Sequence, residues 1–287
     1  MFRTYLKLIK PGIVAGNLVA VTGGYFLGSS GDIRWITGML VAISVALVIS
    51  SACAANNILD RDIDALMART RDRPLVKSEI STVAAKAIVL CLGIGGVALL
   101  YAATGQYLPA ALILVGYAVY VGLYTSLLKR KSVYGTLAGS LSGAIPPVVG
   151  YCSASGQFDA AAITLLVMFS LWQMPHSYAI AIFRAADYQA ASIPVYPAIK
   201  GWPAAKRQMA GYIAAFSATV PVLSLLGYAG PIYLVPSLAI GLYWLRLAFQ
   251  GFSATDEVQW ARKIFISSIA VIVVLNVAMA LTALSIR

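Results

Sequence analysis

The chain has 287 residues, of which 60% are hydrophobic and only 11% carry a charged side chain. Soluble domains carry about 25% charged residues, so this composition excludes an ordinary water-facing surface. The formal net charge of +11 could attract nucleic acid. No soluble basic domain is visible in the sequence, however, so nucleic-acid binding is excluded too. The composition therefore predicts an integral membrane protein whose surface faces lipid.

Long runs without Asp, Glu, Lys or Arg indicate where the chain crosses the membrane. A helix needs about 20 apolar residues to cross the hydrocarbon core, and backbone groups in lipid must be paired internally. Five runs fit one helix each, and two fit a pair, divided near Gly105-Gln106 and between Gly227 and Pro231. The sequence therefore predicts an all-α bundle of nine transmembrane helices. The runs are 11–31, 35–59, 87–128, 132–158, 160–183, 208–245 and 264–286.

The positive charges indicate the orientation of this bundle. With nine spans, 19 of the 21 Lys and Arg residues fall on the side of the N-terminus. Positive charge concentrates on the cytoplasmic side of membrane proteins. We therefore expect a single polytopic domain over residues 1–287 in a bacterial-type inner membrane, with the N-terminus in the cytoplasm and the C-terminus outside. Two cytoplasmic loops, 61–82 and 184–206, are longer than this topology requires.

An acidic face follows the second predicted helix. Asn56, Asp60 and Asp64 recur every four residues, so they line one face of a helix that begins within the apolar run and ends at its cytoplasmic mouth. Stacked carboxylates repel one another unless a positive charge lies among them, and magnesium is typically held by one or two carboxylates with waters and phosphates. The spacing thus predicts a magnesium site. The alternative is a solvated helix end whose carboxylates pair with nearby arginines.

Basic residues follow these carboxylates closely. Arg69, Arg73 and Lys77 lie in the next loop, and the guanidinium group of Arg suits phosphate oxygens. Lys129 and Arg130, after the fourth predicted helix, could close over the same place. Carboxylates with a metal and neighbouring cations would bind a diphosphate and stabilise the charge it gains on leaving. The alternative for each cation is that it only sets the topology.

The second long loop carries a further set of candidates. His176 is the only histidine and lies late in the sixth predicted helix, where it either contacts an acceptor substrate, for example as a ligand of haem iron, or is a core residue bonded to a neighbouring helix. Downstream, Asp187 is the only carboxylate of the loop. It could contact a metal, orient a substrate or simply pair with Arg184.

These residues resemble the UbiA superfamily of membrane prenyltransferases over essentially the whole chain. Asn56-x3-Asp60-x3-Asp64 matches the first Asn/Asp-rich motif of that family in full. The stretches 60–64 through 73–75, 132–136, 172–176, 187–191 and 193–195 are most similar to the branch that farnesylates protohaem IX. The second family motif is reduced here, because only Asp187 remains where relatives often carry several aspartates.

The resemblance implies an activity and a set of ligands. It implies a magnesium-dependent transfer of a farnesyl group from farnesyl diphosphate to a vinyl group of haem b, with addition of water, giving haem O and diphosphate. Haem b is then a substrate, bound near His176, Arg184 and Tyr188. Asp60, Asp64 and Asp187 would be catalytic, and the same three with Asn56 would contact the metal. Haem-handling or terminal oxidase assembly proteins are expected partners.

Two other functions stay open at this point. A prenyltransferase of the same superfamily could act on an aromatic quinone precursor, although the single histidine and the reduced second motif argue against it. A polytopic transporter would also explain the bundle and its acidic residues. Transporters, however, usually place charges near the middle of the membrane and often have duplicated halves, whereas these charges lie at one mouth.

Overall fold

The computed structural model describes residues 2–286, and within them every regular element is helical. Nine long helical segments form the bundle, joined by four short helices. The long segments are α2 (Pro11–Ser29), α3 (Trp35–Leu59), α5 (Thr82–Thr104), α6 (Tyr107–Tyr117) with a following π-helix (Ala118–Leu128), α7 (Gly135–Ser155), α8 (Ala160–Phe183), α11 (Trp202–Leu225), α12 (Pro231–Gln250) with a 3-10 turn (Gly251–Ser253), and α13 (Glu257–Ser285). The short helices are α1 (Phe2–Ile9), α4 (Arg61–Leu66), α9 (Ala185–Ala190) and α10 (Tyr196–Lys200).

Eight of these segments are long and apolar enough to cross a membrane. The remaining one, α7, has 21 residues but carries many Gly, Ser and Pro residues and is largely buried among the others. The lipid-facing sides of the bundle expose large apolar side chains such as Ile36, Leu90 and Val235. The prediction of an all-α integral membrane protein is confirmed. The number of nine crossings stays a prediction, because α7 is too polar to be identified as a membrane span from its composition alone.

The predicted divisions of the two long apolar runs lie where the structure breaks its helices. Gly105 adopts a left-handed conformation, with φ 67°, and caps the C-terminus of α5 before α6 begins. Between α11 and α12 the chain turns at Gly227, with φ 82°, and Pro231 begins α12. Glycine is the residue that adopts positive φ without strain, and proline suits the first turn of a helix.

Small residues let α7 pack closely against α2 in the middle of the bundle. A β-carbon on Gly24 of α2 would lie 2.0 Å from the carbonyl oxygen of Pro147 on α7. A β-carbon on Gly150 would lie 2.0 Å from the carbonyl oxygen of Val21. Close approach through small residues is the usual way in which membrane helices associate. This contact explains why α7 can be less apolar than its neighbours, since it meets protein instead of lipid.

The packing brings the two long loops to the same end of the bundle. Ile63 and Met67 of the first loop pack against Ala191 and Ile193 of the second, with Tyr188 beside them. Short helices, α4 in one loop and α9 in the other, lie at this contact. The loops that follow α3 and α8 are therefore joined by an apolar cluster, which places their polar side chains next to each other.

Replacing Gly24 with alanine should weaken the contact between α2 and α7. The added methyl group meets backbone, which cannot rotate away, so we expect a loss of about 1–3 kcal/mol in the free energy of unfolding. The free energy is measured by titration with sodium dodecyl sulfate in mixed micelles. Gly95→Ala on α5 is the control, because nothing lies within 4 Å of its β-carbon. Equal stability of the two variants would contradict this packing.

Candidate active site

The three residues of the acidic face stay together although the helix that carries them is interrupted. The structure ends α3 at Leu59 and begins α4 at Arg61. The backbone bonds continue across the break, since the N–H of Asp60 donates to the carbonyl of Asn56 at 2.9 Å and the N–H of Asp64 to that of Asp60 at 2.8 Å. The side chains of Asn56, Asp60 and Asp64 thus lie on one face, as the spacing predicted.

This face is buried inside the protein. Asn56, Asp60 and Asp64 are 3%, 0% and 1% exposed. The amide Nδ2 of Asn56 donates to Asp60 Oδ2 at 2.7 Å and to the hydroxyl oxygen of Thr125 at 3.1 Å. Buried carboxylates need charge compensation to remain ionised. The solvated helix end that the sequence left as an alternative is therefore wrong in one respect: its carboxylates are not in water.

Cations from three separate parts of the chain supply that compensation. Arg73 pairs with Asp64, with 2.5 Å between Nη1 and Oδ2. Lys129, which follows the π-helix, pairs with Asp60, and Lys10 donates to the side-chain oxygen of Asn56. Arg73 and Lys129 were predicted to bind diphosphate, and the structure places both against the carboxylates.

Lys10 was missed by the sequence reasoning. It was counted as a topological charge because it directly precedes the first apolar run. The structure holds it between α1 and α2 with φ 54°, and this turn sends its side chain back to α3. Burial, reinforced by the positive charge of Arg73, lowers the pKa of the Lys10 ammonium group to about 7. The sequence contained one indication of this position, because Pro11-Gly12 directly after Lys10 is typical of a defined turn.

Arg130 lies at the rim of the same cluster. Its guanidinium group forms two bonds to the carboxylate of Asp62, at 2.6 Å and 2.7 Å, and a third to the carbonyl of Leu59 at 2.7 Å. It also lies 3.8 Å from Asp60 Oδ1. The bidentate bond lowers the pKa of the Asp62 carboxyl group. Arg130 thus fastens the start of α4 to the segment after the π-helix.

The second loop reaches the first through Asp187. This carboxylate is buried and accepts a bond of 3.5 Å from the backbone N–H of Arg69. Tyr188 packs into the apolar cluster shared by both loops. Arg184 is exposed at the end of α8, with its guanidinium carbon 5.7 Å from the centre of the Phe183 ring. Of the predicted acceptor contacts in this loop, Tyr188 lies close to the carboxylate cluster.

Two predicted site residues lie apart from the cluster. Lys77 is exposed and pairs with Asp72 at 2.6 Å, so it is engaged on the surface of its own loop. His176 faces α13, where its Nδ1 lies 2.7 Å from the hydroxyl oxygen of Ser268 and its ring stacks on Trp172. The core role that the sequence left open for His176 matches these contacts. Its predicted contact with haem stays a prediction.

A cavity of about 220 Å³ begins beside the carboxylate cluster and extends between the π-helix, α7 and α8. Lys129, the partner of Asp60, lines it, and so does Tyr188 of the second loop. The sequence predicted Lys129 and Tyr188 as site residues, but it did not reveal the π-helix that shapes one side of the cavity, because a π-helix has no signature in the apolar pattern. Long π-helices are rare, and shorter ones concentrate at functional sites. The polar lining includes Tyr120, Tyr124, Lys129, Gln173, Ser177 and Tyr188.

The chemistry of the donor set fits a magnesium ion only together with a substrate. Among residues 2–286, no three His, Cys, Asp or Glu side chains lie close enough to hold a metal by themselves. Asn56, Asp60 and Asp64 nevertheless offer hard oxygen donors, and Asp60 Oδ1 is buried without a hydrogen-bond partner among the described residues. Magnesium usually takes one or two carboxylates and completes its shell with waters and phosphate oxygens. The residues present fit that pattern.

Comparison with known proteins places this site in a family. Residues 17–269 match the model of the UbiA prenyltransferase family. The chain belongs to the UbiA prenyltransferase family. This UbiA protein is 52% identical over 282 residues, 98% of its length and 95% of the relative's, to the protoheme IX farnesyltransferase of Marinomonas sp. strain MWYL1. It is 50% identical over 279 residues, 97% and 94% of the two lengths, to a protein of the same name from Yersinia pseudotuberculosis serotype O:1b strain IP 31758.

Solved structures share the fold of this UbiA protein. A digeranylgeranylglyceryl phosphate synthase matches with a TM-score of 0.79 and 16% identity, covering 99% of both chains. A UbiA homolog from Archaeoglobus fulgidus, bound to DMAPP and Mg2+, matches with a TM-score of 0.73 and 16% identity, covering 99% of this chain and 100% of that one. At this identity the likeness shows the fold alone.

Removing the cation from a buried pair should destabilise the protein far more than removing one from the surface. Arg73→Met leaves Asp64 buried without its arginine, which should lower the free energy of unfolding by about 3–5 kcal/mol. Lys77→Met breaks an exposed pair and should leave stability unchanged. Unfolding is followed by titration with sodium dodecyl sulfate, without magnesium or diphosphate. An equally stable Arg73→Met variant would contradict the buried pair.

Proposed function

We propose that this UbiA prenyltransferase transfers a farnesyl group from farnesyl diphosphate to a vinyl group of haem b, with addition of water, giving haem O and diphosphate. The support comes from relatives named protoheme IX farnesyltransferase at 50–52% identity over nearly the whole chain. The observation that carries the chemistry is the buried acidic face, with its cations, beside a cavity of about 220 Å³. Residues 1–287 act as one prenyltransferase domain in this proposal.

The diphosphate group binds where the cations meet the carboxylates. Lys129 and Arg73 are each paired with a carboxylate in the structure. When a diphosphate enters with magnesium, its oxygens take the place of these carboxylates as partners of the two cations. Arg130 and Arg69 extend the positive surface at the rim, whereas Lys77 stays paired with Asp72 on the surface of its loop. When the bond between carbon and oxygen breaks, the diphosphate gains charge, and these cations stabilise it.

Asn56, Asp60 and Asp64 would hold magnesium, and Asp187 would either join them or orient the substrate. Magnesium bound there would neutralise the diphosphate and make it a better leaving group. The solved A. fulgidus homolog is bound to DMAPP and Mg2+, which supports a metal-dependent reaction in this chain. The protein's own part is to keep these oxygens together and away from bulk water, because charge interactions are stronger there.

The apolar parts of both substrates lie within the bundle. The farnesyl chain extends from the carboxylate cluster into the cavity, and Tyr188 stands at the junction of the two. Haem b approaches from the side of α8, with contacts to His176, Arg184 and Tyr188. Both substrates are largely apolar, so a site that opens within the membrane can admit them without transfer through water.

The protein lies in the bacterial inner membrane, with the site at the cytoplasmic side, the N-terminus inside and the C-terminus outside. The concentration of Lys and Arg at the site end of the bundle supports this orientation. Membrane lipid surrounds the bundle, and haem-handling or terminal oxidase assembly proteins are its proposed partners.

Purified protein in detergent, given haem b, farnesyl diphosphate and magnesium, should convert haem b to a product heavier by one farnesyl group and one water. Mass spectrometry of the extracted pigments measures this product, and omission of magnesium should prevent its formation. Unmodified haem, together with prenylation of a supplied aromatic quinone precursor, would contradict the proposed acceptor. Absence of any prenylated product from folded protein would contradict the proposed reaction.

Asp60→Asn and Asp64→Asn should each lower the rate of haem farnesylation by at least about a hundredfold, because each removes a charge that stabilises the leaving group through its metal. Asp72→Asn is the matched control, since Asp72 is an exposed aspartate of the adjoining loop that pairs with Lys77. The rates are compared at equal amounts of membrane-inserted protein. Near-normal turnover by Asp60→Asn or Asp64→Asn would contradict the metal assignment.

A further inference from the structure

One face of α8 carries two polar residues into the cavity. Gln173, Ser177, Ile180 and Ala181 line it, and their spacing places them on a single side of the helix. His176, one residue away from Ser177, faces α13 instead. Polar residues in membrane helices usually face a cavity or another helix and serve a function there. We refer to Gln173 and Ser177 as the polar pair.

The backbone of α7 makes room for the Gln173 side chain. A β-carbon on Gly143 would lie 1.8 Å from Gln173 Oε1 and 2.8 Å from its Nε2. Any residue other than glycine at position 143 would therefore displace the amide. The absence of a side chain at Gly143 leaves the space that the Gln173 amide occupies, so this position of the amide depends on the packing of α7 against α8.

The polar pair has hydrogen-bonding capacity that the rest of the protein does not use. Within residues 2–286, the amide of Gln173 and the hydroxyl of Ser177 each lack a hydrogen-bond partner, while neighbouring Trp172 and His176 both bond to Ser268. The amide and hydroxyl can each donate and accept. The cavity volume of about 220 Å³ far exceeds the roughly 10–15 Å³ that one water needs. Together these features describe a place for water inside an apolar bundle.

We propose that Gln173 and Ser177 hold the water molecule that becomes the hydroxyl group of the farnesylated haem. This inference rests on the proposed function, in which water adds to the vinyl group that is alkylated. The cavity that contains the polar pair also contains Lys129, the partner of Asp60. The proposed site of diphosphate departure and the polar pair therefore adjoin one cavity.

In the proposed step, the two carbons of one vinyl group form the two new bonds. The terminal carbon of the vinyl group bonds to C1 of the farnesyl group, while the bond from C1 to oxygen breaks and its electron pair leaves with the diphosphate. Positive charge then lies on the vinyl carbon next to the porphyrin ring. The oxygen of the held water bonds to this carbon, and one proton passes from that water to a diphosphate oxygen. No oxidant or reductant is needed.

Neutral groups suit this task better than charged ones. A carboxylate at this place on α8 would be costly to desolvate, whereas an amide oxygen accepts a bond from the water without carrying a charge. The competing fate of the cation is loss of a proton, which gives an alkene with no hydroxyl group. Water held at a defined place favours addition over this loss, so the polar pair determines which product forms.

The test measures product composition rather than rate. Gln173→Leu should still farnesylate haem b, but the ratio of hydroxylated product to the alkene that is lighter by one water should fall about tenfold, the effect of one lost hydrogen bond. Ser177→Ala should shift the ratio in the same direction. Gly143→Ala leaves Gln173 in the sequence but displaces its amide, so it should also produce the alkene. Mass spectrometry of the extracted pigments gives the ratio from even small amounts of product.

Gly139→Ala is the control for these variants. It adds the same methyl group to the cavity wall of α7, but the nearest atoms to its β-carbon belong to the ring of Tyr124, at 3.4 Å or more, so its product should remain hydroxylated. Fully hydroxylated product from Gln173→Leu, Ser177→Ala and Gly143→Ala would overturn the role of the polar pair. Failure of the unmodified protein to farnesylate haem b would instead overturn the proposed function, so the two failures are distinguishable.

Discussion

Two buried carboxylates at one end of a membrane bundle require positive charge, and much of the architecture serves that requirement. Asp60 and Asp64 come from the junction of α3 and α4, whereas their cations come from elsewhere in the chain. Lys129 is placed by the π-helix, Arg73 by the loop after α4 and Lys10 by the turn between α1 and α2. Without these charges the carboxylates would be unstable in an apolar surrounding, and without the carboxylates the cations would repel one another.

The same arrangement suits a diphosphate because its carboxylates and cations are already paired with each other. A magnesium ion and a diphosphate bring charges of both signs, so they can exchange partners with the cluster without leaving a buried charge alone. Removal of Arg73 would leave the buried carboxylate of Asp64 without its cation. The cavity beyond Lys129 is lined mainly by aromatic and small side chains, with Gln173 and Ser177 as a polar exception on α8. The groups that stabilise the diphosphate and the space for the reacting carbon atoms thus lie in adjoining parts of one site.

The sequence predicted what depends on local spacing. Asn56, Asp60 and Asp64 share a face because bonds from residue i to residue i+4 continue through the helix break, and apolar runs locate the spans because lipid imposes a length. Lys10 and Gln173 were not identified as site residues, since their roles depend on contacts between distant segments. The bond from Lys10 to Asn56 and the approach of Gln173 to Gly143 follow from helix packing, which no periodicity in one segment reveals. Lys77 is the opposite case. Its position in the loop after the carboxylates predicted a place in the cluster, but in the structure its side chain pairs with Asp72.

The affinity for farnesyl diphosphate as a function of magnesium shows whether the buried carboxylate face is the diphosphate site. Isothermal titration calorimetry on the purified protein in detergent can measure this, with the Asp60→Asn variant alongside. We expect tight binding with magnesium, weak binding without it and loss of the magnesium dependence in the variant. Equally tight binding by both proteins with and without magnesium would contradict the claim that the buried carboxylate face is the diphosphate site.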